Sequence, residues 1–476
     1  MTLLRVPGRE VGKVGLLVLA LVLVLLGAAG AGAGVLWSKG SLNELICDGE
    51  CGPDAVATPD ALARGGVPSA AAPRDAEAGG RLDPDAIEAA VRDELGSDDL
   101  GPHVGFAAVD PVDGSLVGSA GSGAYVPAST TKVLTGLAAL TEMDPQQRFS
   151  TRVMRTGERI VLVGGGDPYL ATKLPDKKVY AVEADLRTLA KRTAAELRGL
   201  GMTTVRLDYE TSLFTGPEAS PTWEASYITQ KIVTPVDALT VDGGVVRGTR
   251  VDFPAKATAE VFARLLERRG IEVSGSPIET KAPSTSDPVA SVRSATVAQI
   301  VEAMIAQSDN EAAEILLRHT AIAAGRPATF DGGVATVQSV LRRLDIDVSG
   351  LQLYDGSGLS RRNRTAPQTL AEAVAVSVRE SGTDSLISDL AVGGFTGTLA
   401  RRFGKTDAGR GVVRGKSGTL TGVHSLAGYV TDRSGTPIAF AVMTDRTKAI
   451  NPFVTEAALD RVAAALAECS CSRPVP

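Results

Sequence analysis

Two periodicities organise the chain. Apolar residues recur at helical spacing around 87–95, after Ser129 to about Met143, over 182–200 and 258–269, in TVAQIVEAMIAQ (296–307), in NEAAEILLRHTAIA (310–323) and from about Pro452 to Glu468. Each is a predicted helix. Runs rich in β-branched residues predict strands. VGFAAVDPVDGSLVG (104–118) reads as two strands around Val112-Asp113-Gly114, RIVLVGGGDPYL (159–170) as a strand entering a triple-glycine turn, and 204–208 as a short strand. GVVRGKSGTLTGVHSLAGYVTD (411–432) and PIAFAVMTD (437–445) read as adjacent antiparallel strands. Strands at both ends with helices between them predict an α+β fold, an antiparallel sheet flanked by helices.

The ends of the chain depart from this pattern. Arg5, Arg9 and Lys13 precede an uncharged, apolar run over 14–37, long enough to cross a bilayer as a helix. Basic residues on the short leading side predict a cytoplasmic tail at 1–13 and an exported remainder. An uncleaved transmembrane signal anchor is the expectation, because the apolar run continues to Trp37 with Lys39 just beyond. The alternative is secretion after cleavage at Ala29-Gly30-Ala31 or Ala31-Gly32-Ala33. Residues 38–82, rich in Gly, Ala, Pro, Asp and Arg without apolar period, read as a flexible linker. The remainder divides into 83–151, an inserted block of one or two small domains at 152–285, and 286–476.

Four cysteines sit at the two ends of the exported part, Cys47 and Cys51 in ICDGEC and Cys469 and Cys471 in ECSC. Three pairings are open. A bridge across the single residue between Cys469 and Cys471 is expected to be strained, so two bridges joining the two ends are expected. A zinc site is the rival, against the irregular spacing and the lack of a nearby histidine; no metal is expected. A formal net charge of -6 and only 4% aromatic residues exclude an ordinary nucleic-acid binder.

Chemistry is suggested by VPASTTKVLTGLAALTEMD (126–144). Ser129 and Lys132 stand three apart where a proline-marked turn meets a helix, so hydroxyl and amine share a face. A capped helix start explains this pair equally well by itself. Two further motifs follow in order: Ser308-Asp309-Asn310 at a junction between helices, and Lys416-Ser417-Gly418-Thr419 in a strand whose edge suits an extended peptide. Together they supply a serine nucleophile and a lysine base, which burial and nearby cations hold neutral. His103, His319 and His424 are the only histidines, and none lies beside a candidate nucleophile; His319 reads as a packing residue.

The set S-x-x-K, S-D-N and K-T-G marks penicillin-binding proteins and class A β-lactamases, with Ser417 here in place of threonine. With LVGGGDPYL (162–170), SDNEAAEILLR (308–318) and DGSGLSRRNRTAP (355–367), the chain from about 100 to 465 resembles the low-molecular-mass penicillin-binding proteins of peptidase family S13. These are D-alanyl-D-alanine carboxypeptidases and endopeptidases. The resemblance implies a penicillin-binding-protein/β-lactamase-like domain with a large insertion, matching the 179 positions between Ser129 and Ser308.

It implies attack by Ser129 on a peptidoglycan stem peptide ending in D-Ala-D-Ala. Lys132 acts as base, Ser308 as proton relay and Asn310 as amide holder, while Lys416 attracts the terminal carboxylate and Ser417, Gly418 and Thr419 complete the substrate-binding set. Backbone N–H groups of Ser129 and Thr419 form an oxyanion hole. β-Lactams are expected as covalent inhibitors, and no cofactor is implied. Trp223 and Glu224 are expected to meet the stem-peptide side chain. The competing readings are a β-lactamase-like hydrolase of small amides or esters, for which no deacylating glutamate is identified, and a catalytically silent wall-binding protein.

Overall fold

The computed structural model describes residues 80–175, 179–404, 408–448 and 451–473. The expected membrane segment, most of the linker, and Cys47 and Cys51 lie outside the described residues. Among the described residues no helix is long and apolar enough to cross a membrane.

Eleven strands matter for the site: β1 (Val104–Val109), β2 (Leu116–Ala120), β3 (Arg148–Thr156), β4 (Arg159–Val163), β5 (Thr204–Glu210), β6 (Glu272–Val273), β7 (Asp287–Thr296), β8 (Ala391–Val392), β9 (Arg414–Leu420), β10 (Val423–Thr431) and β11 (Pro437–Thr444). One six-stranded sheet runs β8-β9-β10-β11-β1-β2, antiparallel throughout. The stretch 411–432, expected as one strand, is a hairpin: β9 and β10 turn back at Thr421-Gly422, where Gly422 has a positive φ. A second sheet, β7-β3-β4-β5-β6, is built from residues 148–296, with β4, β5 and β6 parallel.

β11 shows why the first sheet is central. Alternate residues of a strand face opposite sides, and both sides of PIAFAVMT are buried. Ala439, Ala441 and Met443 face one core with Leu370, Ala371 and Val374, while Ile438, Phe440 and Val442 face another with Leu459, Val462 and Leu466. Helices α1 (Pro84–Leu95) and α7 (Pro452–Glu468) cover the second side. The first side carries α2 (Thr131–Glu142), α3 (Val297–Gln307), α4 (Asn310–Ala323), α5 (Phe330–Arg343) and α6 (Pro367–Arg379). α2 is buried on all its faces from Thr131 to Leu140, which suits the central helix of a large core.

Strand Arg81–Leu82, at the end of the expected linker, pairs with Ser472–Arg473, and Asp83 N–H donates to the Cys471 carbonyl at 2.7 Å. Hydrogen bonds therefore tie the first described residues to the last. Cys469 is bonded to Cys471, contrary to the expected bridging of these two cysteines to the other end. The two Cα atoms lie 5.2 Å apart, inside the usual disulfide range.

The triple glycine is a packing turn. A Cβ on Gly165 would sit 2.2 Å from the Ser150 carbonyl oxygen, and one on Gly166 2.3 Å from His319 Nε2. His319 is indeed a core residue: it stacks on Phe149 at 3.6 Å, hydrogen-bonds the Gly166 carbonyl at 2.9 Å, and burial pushes its pKa down to about 4. The unfolded chain takes up this proton near pH 6.5, so stability is lost as pH falls from there to about 4, by roughly 3 kcal/mol. Thermal melting of His319→Phe should therefore depend less steeply on pH across that window than wild type. Its midpoint at pH 7.5 should be lower, because the Gly166 carbonyl loses its donor; parallel pH curves would assign the effect elsewhere.

Candidate active site

The site forms where the start of α2, the α3–α4 junction and the edge of β9 meet. Ser129 lies in a single 3-10 turn, Ala128–Thr130, directly before α2. Ala128 has φ of 48°, a left-handed conformation that costs a residue with a Cβ about 1 kcal/mol or more. Three hydroxyls hold the turn: Thr131 donates to the Ala128 carbonyl at 2.8 Å, and Thr130 and Ser425 both donate to the Pro127 carbonyl, at 2.7 and 2.6 Å. Ser129 stands at neither cap position, which Pro127 and Thr130 occupy; its hydroxyl meets Lys132 Nζ at 3.1 Å. That contact separates the two readings left open by the sequence, because a capping serine would spend its oxygen on a backbone N–H.

Lys132 is fully buried. Nζ also contacts Asn310 Oδ1 at 2.8 Å and the Ser357 carbonyl at 2.7 Å. Burial pushes its pKa down to about 8, against the opposing pull of Glu314, Asp355, Asp309 and Glu311. A neutral amine has two N–H donors and one lone pair. Asn310 and Ser357 can take the donors, which leaves the lone pair facing the Ser129 hydroxyl.

The second motif bridges the two lysines. Ser308 ends α3 in a left-handed conformation with φ of 58°, and Asp309 caps α4 by accepting from Ala312 N–H at 2.9 Å. This tight reversal points Ser308 at Lys416, Nζ to Oγ 2.9 Å, and Asn310 at Lys132. Lys416 is also fully buried and donates to the Ser417 carbonyl at 2.6 Å. Burial, then the charge of Lys132, then that of Arg402 push its pKa well down. A Cβ on Gly418 would lie 2.9 Å from Ser129 N and 2.7 Å from the Pro127 carbonyl, so only glycine lets β9 come this close to the serine turn.

Ser417 and Thr419 alternate with Lys416 and Gly418 along β9. Ser417 Oγ donates to Thr398 Oγ1 at 2.9 Å, and Thr419 Oγ1 to Glu456 on α7 at 3.1 Å. Ser129, Lys132, Ser308, Asn310, Lys416 and Gly418 thus converge on one place, whereas the side chains of Ser417 and Thr419 lie on the opposite face of β9, the face their partners Leu426 and His424 share. His424 pairs across from Thr419 but shares the sheet face of Leu426, towards α7, away from Ser425 and the serine turn.

The loop 355–360 completes the site, and its role was not read from the sequence. Fully buried Glu314 accepts from Gly356 N–H at 2.9 Å and Ser357 N–H at 2.8 Å. Burial, and then Asp355, push its pKa up to about 8. Buried Asp355 accepts from Gly358 N–H, Ser360 N–H, Asn363 Nδ2 and Trp223 Nε1. Trp223 is therefore buried as a donor to this loop, while Glu224 lies at the rim, paired with Arg361 at 2.9 Å; Arg361 also donates to the Thr421 carbonyl.

Gly358 has φ of 85°, and a Cβ there would lie 1.8 Å from the Ala128 carbonyl. Gly358→Ala should cost about 3–5 kcal/mol of stability and also displace the serine turn. An unchanged urea midpoint would show that the loop gives way freely. The sequence signal was the glycine pair in DGSG, legible as a turn but silent about its neighbour.

The sheet between helical layers, with these three segments at its edge, places the molecule in the penicillin-binding-protein and β-lactamase fold class. Penicillin-binding protein 4 of Haemophilus influenzae shares the fold with a TM-score of 0.64 at 22% identity, covering 81% of this chain and 98% of that one. A second structure of that protein, complexed with a β-lactam, gives 0.60, also at 22% identity, over 79% and 97% of the two chains. The model of the D-Ala-D-Ala carboxypeptidase 3 (S13) family matches residues 87–250 and 246–466. Carboxypeptidase DacB of Mycolicibacterium smegmatis is 35% identical over 359 residues, 72% of this chain and 76% of that one. The chain belongs to the S13 family.

Proposed function

We propose that the protein is a serine-type D-Ala-D-Ala carboxypeptidase that trims peptidoglycan stem peptides through an acyl-enzyme on Ser129. The observation that carries this is the contact of the Ser129 hydroxyl with a buried lysine amine whose other two neighbours are acceptors. Ser129 Oγ attacks the carbonyl of the penultimate D-alanine while Lys132 takes the hydroxyl proton. Ser308, between Lys132's neighbour Asn310 and Lys416, delivers a proton to the leaving amine. The backbone N–H groups of Ser129 and Thr419 stabilise the oxyanion, an effect worth about 3–4 kcal/mol per donor in serine hydrolases. Asn310 Oδ1 is occupied by Lys132, so its amide N–H groups are the ones available to the substrate carbonyl.

Lys416 receives the terminal carboxylate. An arriving anion favours its charged form and offsets the burial that pushes its pKa down. Water then hydrolyses the ester. A β-lactam follows the same first step and stays attached where hydrolysis is slow. The β-lactamase alternative gains nothing from Glu314, whose two carboxylate oxygens are spent on backbone N–H groups.

The compartment belongs to the same proposal: residues 14–37 tether the enzyme to the membrane, and the catalytic part works outside the cytoplasm. Detergent-dependent release of the full chain from pelleted membranes supports the tether; a chain beginning near residue 32 or 34 refutes it. Intact-protein mass spectrometry tests the chemistry. A D-Ala-D-Ala pentapeptide should lose one D-alanine catalytically, and benzylpenicillin should leave one adduct, mapped to Ser129. Rapid turnover of penicillin with no adduct would favour the alternative.

A further inference from the structure

The chain enters the serine turn held by a carboxylate from the central sheet. Pro127 has no backbone N–H, so the N–H of buried Val126 is the donor nearest the turn on its upstream side. It donates to Asp445 Oδ2 at 2.9 Å. Asp445 follows Thr444, the last residue of β11, whose ladder with β1 closes at the pair Thr444 and Val104.

The carboxylate is itself held. Its other oxygen meets His103 Nδ1 at 2.5 Å, and the His103 ring stacks on Tyr125, with centroids 4.2 Å apart and planes 22° from parallel. Tyr125 is fixed in turn: its hydroxyl donates to the Val104 carbonyl at 2.9 Å, and its backbone N–H and carbonyl both pair with Thr365. The ring lies so close over β1 that a Cβ on Gly105 would come within 2.5 Å of it.

Val126 carries the consequence into the site. Its side chain packs with Ala128 and Val423, and Leu420 lies against them. This small apolar cluster joins the serine turn to the β9–β10 hairpin. Along the chain Ser129 follows Ala128 and Thr419 precedes Leu420, so the two N–H groups proposed for the oxyanion hole flank the cluster that Asp445 anchors. Ala128, at φ of 48°, stands between the anchor and the nucleophile, and a residue in that conformation stays there only while its surroundings hold it.

We propose that Asp445, oriented by His103, is a positioning residue for the Ser129 nucleophile and its oxyanion hole. The inference rests on the proposed acyl-enzyme reaction. Asp445 acts through the backbone of Val126, and a misplacement of about 1 Å at a reacting centre can cost about a hundredfold in rate. The β1–β11 ladder and the pairing of Tyr125 with Thr365 do not pass through this carboxylate, so fold and rate are separable.

The test titrates the full chain with labelled benzylpenicillin, which reads the number of reactive sites separately from the acylation rate per site. Asp445→Leu keeps the side-chain length and removes both acceptors; it should keep one site per chain and acylate about tenfold or more slowly. Asp445→Asn can accept from Val126 N–H through Oδ1 and donate through Nδ2 to a neutral His103 ring, so it should recover the rate to within about threefold of wild type. His103→Phe keeps the ring stacked on Tyr125 and frees the carboxylate; it should slow each site about threefold, and it carries the test where Asp445→Leu does not fold. Fewer sites, each reacting at the wild-type rate, would make Asp445 a structural residue and overturn the proposal. So would Asp445→Leu or His103→Phe reacting at the wild-type rate, or Asp445→Asn as slow as Asp445→Leu. Failure of the acyl-enzyme reading is distinct: wild type would then take up no penicillin.

Discussion

Replacing Ser129 with alanine should abolish the penicillin adduct and lower D-alanine release from a pentapeptide by about 10⁴-fold or more. The substitution removes one oxygen from a half-buried turn whose shape is set elsewhere. The hydrogen bonds to the Pro127 and Ala128 carbonyls come from Thr130, Thr131 and Ser425, and Ser129 itself caps nothing. The fold should therefore persist, with a melting temperature within a few degrees of wild type. Retained substrate binding with lost turnover is the expected combination, because Lys416, Asn310 and the strand edge stay in place. An alanine variant that still takes up labelled penicillin would move the nucleophile to another hydroxyl and end the proposed mechanism.

Lys132→Met should lower acylation by about 10³-fold, the middle to upper part of what a positioned general base contributes, and remove its pH dependence. Wild-type kcat/KM should rise with pH and level off above about 8, where the buried amine is neutral and able to accept the Ser129 proton. In the methionine variant that limb should vanish. Stability moves in two directions. The variant no longer buries an amine that burial holds low, and Lys416 loses a neighbouring cation. Against this, Asn310 Oδ1 and the Ser357 carbonyl lose their donor, at about 1–3 kcal/mol each. Urea unfolding reads this balance separately from activity. A rate that falls without any change in its pH profile would make Lys132 a structural residue and leave the base unassigned.

Helix and strand character was legible wherever one periodicity ran unbroken. α7 begins at Pro452 and ends at Glu468, as the apolar spacing predicts, and α3 and α4 flank Ser308-Asp309 within a residue of their expected ends. Boundaries moved where a local device overrode the pattern. The helix expected from 182 starts only at Leu186, because Asp185 caps it by accepting from Thr188 N–H. The hairpin at Thr421-Gly422 was missed because the run RGKSGT before it has no apolar alternation whose end could mark a turn. The Cys469–Cys471 bridge was misjudged from spacing alone, since the backbone of the intervening residue, and not the sequence separation, sets the 5.2 Å between the two Cα atoms.

The sequence by itself determined which functional groups are present and in what order: a hydroxyl and an amine one helical turn apart, a serine and an amide at a helix break, a lysine beside a glycine on a strand. Those are local facts, carried by residues within a few positions of one another. Only the tertiary structure decided what these groups are electrically and what they touch. The downward pull on the Lys132 pKa comes from burial inside a helix packed against four others, α3 to α6. The lysine is held by a carbonyl 225 residues away, and that carbonyl is fixed by Glu314 on a further helix. Burial and distance between remote segments are properties of packing, and no spacing along the chain encodes them.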